Sequence, residues 1–336
     1  MGRCYRAGNS HPLCRSVAMI TPEIDILLAT YNGATFLDEQ LQSLAAQDFA
    51  NWRLIVRDDG SSDTTLAMVE NFASHVSQPV EIVRDSETGL GASRNFGRIL
   101  QRSTAPYFAF CDQDDVWLPH KLSTMRSAIR SAEERAGGQV PVLSHCDLEV
   151  VDEKLRLIAP SFRRFSKLRT PHPGEEGRYL MMQNYVTGCA MMGNAVLREK
   201  SLPIPDVAMM HDWWLALVAA GTGELVEVGE PLIRYRQHGR NTLGAKSAGL
   251  RTYVTRFATR PAKELTRGRA IVARTRAQAV IFADRFDDQA DPELVSLLRA
   301  YGRTSGQSFF KRKGFVLRNR LFAQDIIRIA AMALVI

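Results

Sequence analysis

Tyr107-Phe108-Ala109-Phe110-Cys111-Asp112-Gln113-Asp114-Asp115-Val116-Trp117 is the stretch on which the reading of this chain turns. Tyr107–Cys111 is an uninterrupted apolar run, as a strand buried on both faces requires, and it ends abruptly in carboxylates. A strand covered on both sides belongs to a parallel sheet with helices above and below it. Toward the N-terminus the same unit recurs. Ile24–Thr30 is nearly continuous and apolar, Leu54–Val56 leads into Asp58-Asp59-Gly60, and Val80–Val83 is a third strand pattern. Helical patterns separate them: Phe36, Leu37, Leu41, Leu44 and Ala45 form one apolar stripe. Leu66, Met68, Val69 and Phe72 follow an N-cap at Ser62 or Asp63, and Ala92–Leu100 supplies a third helix. Strands alternating with single helices describe βαβ units, so the fold class is α/β, a mostly parallel, Rossmann-like sheet flanked by helices.

The polar clusters Thr30-Tyr31-Asn32, Asp58-Asp59 and Asp112-Gln113-Asp114-Asp115 all fall just beyond strand ends, where an open α/β sheet binds its ligand. Two carboxylates one residue apart on a turn can share a hard divalent cation, which would neutralise a diphosphate leaving group. The plainer reading of Asp112–Asp115 is a cluster at the N-terminus of a helix starting at Trp117-Leu118-Pro119. Asp58 and Asp59 can accept hydrogen bonds from a base or a ribose, whereas a turn with capping residues accounts for Gly60, Ser62 and Asp63 but not for the acidic pair. Gly89-Leu90-Gly91 lacks the spacing of a dinucleotide loop and has no Walker lysine; Arg94, at the helix start that follows, is a candidate diphosphate contact.

Beyond Gly193 the pattern loosens. Asp206–Gly229 reads as a Trp-rich helix and a short strand, and Leu232–Tyr235 as a further strand. In His211-Asp212-Trp213-Trp214 the carboxylate could act as general base on an acceptor hydroxyl, with the indoles against a sugar face. Alternatively Asp212 caps a helix Trp213–Ala220 and the tryptophans fill the core. His238, in Tyr235-Arg236-Gln237-His238-Gly239-Arg240-Asn241, is a candidate metal or phosphate ligand, because a His flanked by arginines suits a core poorly.

Charge is unevenly spread. From Ala245 to Ile336, 18 Lys and Arg face 7 Asp and Glu, a surplus of +11, so the first 244 residues carry −4 of the total +7. A basic tail implies an anionic partner, a phospholipid surface or nucleic acid, but it holds no nucleic-acid recognition motif and none is expected to bind. The five cysteines have no CxxC-type spacing, which argues against a zinc site or a disulfide framework and for a cytoplasmic setting. Met1–Ala18 has neither a hydrophobic signal core nor, with Arg6 in place, a myristoylation motif, so residues 1–20 are expected to be a disordered extension. No apolar run reaches membrane-spanning length, while Ile326–Ile336, behind Lys311-Arg312-Lys313, Arg318 and Arg320, is long enough to lie at the inner face of a membrane or, alternatively, to pack as a helix on the catalytic domain or a second subunit.

Taken in order, Ala29-Thr30-Tyr31-Asn32-Gly33, Asp58–Asp63, Asp112–Trp117 and His211–Trp214 make the sequence resemble family 2 glycosyltransferases of the GT-A fold. The likeness covers residues 24 to 244, and its Cys-Asp-Gln-Asp-Asp-Val-Trp version is most similar to bacterial rhamnosyltransferases of surface-polysaccharide assembly. The resemblance implies an inverting enzyme taking a sugar from a dTDP- or UDP-linked donor to a saccharide acceptor, lipid-linked in one version of the reading. It implies that Thr30, Tyr31 and Asp59 or Asp58 line the nucleoside, and that Asp112 touches ribose or sugar. Asp114 would bind Mg2+ or Mn2+, His238 would help hold metal or diphosphate, and Asp212 would be the base. Gln237-His238-Gly239-Arg240 is followed by Asn241 rather than the tryptophan of processive members, which argues for single transfers. The organisation expected is a GT-A domain over 21–244, with a nucleotide-sugar half (21–118) and an acceptor half (119–244), then a basic helical region over 245–336. The rival readings are a nucleotide-sugar-binding protein without turnover and a nucleic-acid-binding protein using the tail.

Overall fold

Residues 21–168, 170–239, 259–319 and 321 are described by a computed structural model. Four strands, β1 (Ile24–Thr30), β2 (Trp52–Asp58), β3 (Val80–Val83) and β4 (Tyr107–Asp112), lie parallel in the order β3-β2-β1-β4. They are joined by α1 (Leu37–Ala45), α2 (Thr65–His75) and α3 (Ala92–Leu100). Their apolar runs are continuous because both faces are covered. Ile24, Ile26 and Leu28 enter the core shared with α1, whereas Leu27 points into the core shared with α3. Phe108 and Phe110 of β4 split from Ala109 and Cys111 in the same way.

The chain then continues through β5 (Val116–Trp117), α4 (Lys121–Ala136), β6 (Val142–Val151), β7 (Leu157–Ala159), α5 (Phe162–Phe165), α6 (Glu176–Leu180), β8 (Met191–Asn194), α7 (Ala195–Ser201), α8 (His211–Thr222) and β9 (Glu224–Arg236). These strands extend the sheet from β4 as β8-β6-β9-β5; β8 is antiparallel to β4 and β6, β9 is parallel to β6, and β5 is antiparallel to β9. Two local expectations change. No helix starts at Trp117: Val116 and Trp117 pair with Arg234 and Ile233, and α4 begins only at Lys121. Asp112–Asp115 is therefore a turn between two strands, and the helix-cap reading of these acids falls. Likewise, Leu232–Tyr235 is not a separate strand but the second half of β9, whose register shifts near Pro231. Proline has no N–H to give the ladder, so the strand absorbs it at an irregularity instead of ending there.

Three helices follow, α9 (Pro261–Arg285), α10 (Pro292–Arg303) and α11 (Phe309–Arg318). Pro292 occupies the first turn of α10 and the Asp291 carboxylate accepts the Glu293 N–H at 3.0 Å, a complete helix start. Phe282 and Phe286 of α9 pack on Trp214 of α8. A Cβ at Gly221 would lie 2.4 Å from the Phe282 ring, so α8 and α9 are held in close approach. The basic region thus buries its apolar side in the core of the sheet's α3 face. Residues 1–20 and the segment Ile326–Ile336 lie outside the described residues, and among those described no helix is long and apolar enough to cross a membrane.

Candidate active site

The loops after β1 and β2 are sewn together by side chains at the strand ends. Thr30, itself buried, donates its hydroxyl to Asp58 Oδ1 at 2.8 Å. Asp58 Oδ1 also accepts the Ser61 hydroxyl, and its Oδ2 accepts the N–H groups of Gly60 and Ser61. Asn32, at φ 47°, accepts the Ser62 N–H, and its own N–H reaches Ser61 Oγ. Asp59 serves a different loop: its carboxylate accepts the N–H groups of Leu90 and Gly91, and Arg57 lies 3.4 Å away. Gly89 and Gly91 adopt φ of 72° and 75° to wrap that carboxylate, which explains the glycines there. Both acids are thus used by local structure, contrary to the expectation that turn formation leaves the pair unexplained. Four donors saturate Asp58, while Asp59 retains acceptor capacity. Tyr31 is 57% exposed, and Arg94 sits at the start of α3 in an open ion pair with Asp206 at 3.2 Å.

The second group is built where β4, β5, β9 and α8 meet. Pairing of β5 with β9 carries the acidic turn to the end of β9, and His238 Nε2 lies 2.8 Å from Asp114 Oδ2. Two residues 124 positions apart are thereby brought into direct contact. Arg236 secures the junction, donating to the backbone carbonyls of Asp114 and Glu153 and to Glu39, while Asp115 accepts its N–H. Arg236 is 1% exposed because it meets acceptors on every side, while His238 itself is only partly buried. The ring of His238 rests against Phe36, 4.7 Å between centroids.

Asp112, Asp115 and Cys189 lie within 4.8 Å of one another, ligand atom to ligand atom. Burial, reinforced by Asp114 and then Asp212, raises the Asp112 carboxyl to about 7. Asp115 is fully buried and pushed well up by the same burial and by Asp114, and its Oδ2 has no partner. Burial also drives the Cys189 thiol well up, so it stays protonated. A protonated thiol is a poor ligand for a hard cation. Asp114 Oδ2 and His238 Nε2, both oxygen or nitrogen donors, fit Mg2+ or Mn2+ better and leave other positions to diphosphate and water.

Asp212 stands in the first turn of α8, 7% exposed. Its carboxyl accepts the Trp213 N–H at 2.5 Å and the Gly188 N–H, yet burial still raises it to about 7. It therefore satisfies an N–H within the first turn, the N-cap itself being Met210, and remains within electrostatic reach of Asp112. Trp213 and Trp214 do not face a sugar. They are 8% and 0% exposed, and their indoles donate to the carbonyls of Leu180 and Ser201. His211 lies between Phe96 and Phe110 with neither ring nitrogen partnered, and burial pulls it down to about 3, so it is neutral.

Lys121, Cys189 and Gln113 were not singled out in the sequence. Lys121 is wholly buried, donating to the Cys189 carbonyl at 3.0 Å from above the Trp117 ring, and burial lowers it to about 8. The only sequence signal for it is an unremarkable lysine after His120. Gln113 lay in view, but as a spacer between acids.

The sequence profile of glycosyl transferase family 2 matches residues 25–202, more than half the chain. The chain belongs to glycosyl transferase family 2. Among curated relatives, an uncharacterised glycosyltransferase of Rickettsia typhi is 24% identical over 237 residues, covering 69% of this chain and 70% of its own length. A dTDP-rhamnosyl transferase of Shigella flexneri is 33% identical over 98 residues, 28% of this chain and 34% of its own. S. aureus TarS in complex with UDP-GlcNAc superposes with a TM-score of 0.54 at 14% identity, covering 88% of this chain and 76% of that one. A Pyrobaculum calidifontis mannosyltransferase in complex with GDP-Man and Mn2+ gives 0.52 at 16%, covering 89% and 74%. The fold of this family 2 member is accordingly the GT-A type.

Proposed function

We propose that this enzyme moves a sugar from a nucleoside diphosphate to a saccharide hydroxyl in a single inverting displacement, with Asp212 as base. One observation carries the reading: a buried carboxyl held near 7 at the start of α8, close to Asp112 of the acidic turn. A carboxyl tuned near the working pH is suited to general-base work. The acceptor O–H gives its proton to Asp212 as its oxygen bonds to the anomeric carbon. The bond from that carbon to the diphosphate oxygen breaks, and the electron pair leaves with the diphosphate. Mg2+ or Mn2+, when bound by Asp114 and His238, neutralises the leaving charge. Asp59, with acceptor capacity left, and the exposed Tyr31 line the nucleoside; Asp58 and Thr30 hold the loop behind them. Asp112 faces ribose or sugar, and Arg94 exchanges Asp206 for diphosphate.

Rhamnose from a dTDP-linked donor, for surface-polysaccharide assembly, is the finer reading, supported by the segment shared with the Shigella rhamnosyl transferase. The test is nucleotide release from dTDP-, UDP- and GDP-sugars with Mn2+ or Mg2+ against a chelator, with saccharide acceptors. Release and glycoside formation from one donor supports transfer. Tight donor binding with no product from any donor would favour a binding protein without turnover.

A membrane-facing placement draws on α11. Phe310, 82% exposed, and Leu317, 63% exposed, share its outer face with Lys311 and Arg318. Apolar and basic residues on one face suit an anionic bilayer surface, where a lipid-linked acceptor would be presented. Flotation of the full chain with anionic but not neutral vesicles is the expected result, and failure to float with either removes the placement.

A further inference from the structure

Between the two acids of the turn, the Gln113 side chain folds back onto the neighbouring strand end. Its Oε1 accepts the Tyr31 N–H at 2.9 Å, and its Nε2 donates to the Tyr31 carbonyl at 3.0 Å. Backbone pairing of β1 with β4 ends at Ala29 and Asp112, so this amide bonds to Tyr31 as a further strand residue would. It does so where both chains leave the sheet. Gly33 supplies the room: a Cβ there would lie 2.2 Å from Gln113 Oε1 and 2.5 Å from its Cδ. Gly33 has an ordinary negative-side backbone, so close approach rather than conformational freedom excludes a side chain. The remainder of the segment is tied the other way, Asn32 to Ser61 and Ser62, and the Gly33 N–H to Thr65 Oγ1. Gln113 is thus a direct link from the acidic turn to the loop that carries the exposed Tyr31.

The geometry points to Gln113 as a positioning residue that couples the cation-binding turn to the nucleoside loop Tyr31–Gly33, so that divalent cation strengthens nucleoside diphosphate binding through the protein. The inference rests on the functional reading above. With the turn ordered by a cation at Asp114, the Gln113 amide holds the Tyr31 peptide in place; without the amide the two halves of the site bind independently. Glutamate cannot replace it, since a carboxylate has no N–H for the Tyr31 carbonyl, and asparagine is one methylene short.

Calorimetric titration of UDP and dTDP, each with and without Mn2+, tests this on wild type, Gln113→Ala, Gly33→Ala and the double variant. Gln113→Ala is expected to weaken binding in Mn2+ about tenfold, the scale of losing two modest hydrogen bonds. Binding without Mn2+ changes much less, so the cation's enhancement shrinks. Gly33→Ala alone, which drives the amide away, should reproduce that loss, yet add nothing in the Gln113→Ala background. Melting temperatures should hardly move, because the clamp lies at the surface. Exchange of the Tyr31 amide should quicken in both single variants. Equal Mn2+ enhancement in wild type and Gln113→Ala, or strictly additive losses, overturns the coupling. A wild type that binds neither of these nucleotides, nor GDP, in Mn2+ overturns the functional reading itself, a result distinct from one in which all four proteins bind alike.

Discussion

Asp25 and Asp212 are both buried aspartates, one in the parallel half of the sheet and one at the acidic centre, and they titrate in opposite directions. Burial alone would raise Asp25, but Arg53, the N–H groups of Ala105 and Thr104 and the Ser103 hydroxyl all donate to it, and it ends below its usual range. Asp212 has only backbone donors and no cation, so burial prevails and its carboxyl rises to about 7. The same contrast runs through the two regions. In the parallel half Arg57 and Asn95 meet partners, and the loops close on one another. Around β4, β9 and α8 there are an unpartnered Asp115 oxygen, an unpartnered His211 ring and a lysine buried without a carboxylate at ion-pair distance. At this centre the unpartnered carboxyl oxygen and the uncompensated lysine are what a charged ligand and a moving proton would relieve.

That contrast can be broken most severely at Asp114. Asp114→Ala should abolish transfer and weaken nucleoside diphosphate binding only when divalent cation is present; metal-stimulated activity equal to wild type would remove the assignment. Next in size is Asp212→Asn, expected to keep donor affinity while turnover drops roughly 100-fold or more, the scale of losing a general base. Loss of donor affinity with turnover intact would instead make Asp212 a binding or capping residue. A third consequence concerns pH. Since the base must be ionised, wild-type kcat should fall about tenfold per unit as pH drops below about 7, and a flat profile from pH 5 to 8 would count against a raised base.

Stability supplies the smallest and sharpest comparison. A carboxyl raised in the folded state binds more protons folded than unfolded, so its contribution worsens as pH climbs from about 4 to about 7. Asp212→Asn is therefore expected to raise the melting temperature at pH 8, with a smaller gain at pH 5. Asp25, lowered in the fold, has the other sign: its stabilisation is present above about 4 and is lost as pH falls through its folded value. Asp25→Ala should cost about 3 kcal/mol at pH 7, the low end for removing one partner of a buried pair, because Arg53 is partly exposed. Matching shifts of the same sign in both variants, read by denaturant melts at pH 5 and 8, would erase the distinction.

By itself the sequence determined the parallel half, with β1, β3 and α3 recovered to the residue, and it singled out Asp112, Asp114, Asp212 and His238 as candidates for the roles proposed above. Both signals are local: a strand covered on two faces reads as a nearly continuous apolar run, and an acidic cluster directly after such a run stands out against it. Tertiary structure decided the rest. Only pairing of β5 with β9 turned an apparent helix start into a turn and set Asp114 against His238. Only packing assigned Trp213 and Trp214 to the core, divided Asp58 and Asp59 between two loops and closed the Gln113 clamp. Such contacts join residues scores of positions apart, and neither periodicity nor capping propensity carries information over that separation. Lys121 is the limiting case: nothing near it in sequence distinguishes it from a solvated surface lysine, and its burial follows wholly from the strands and helix that close around it.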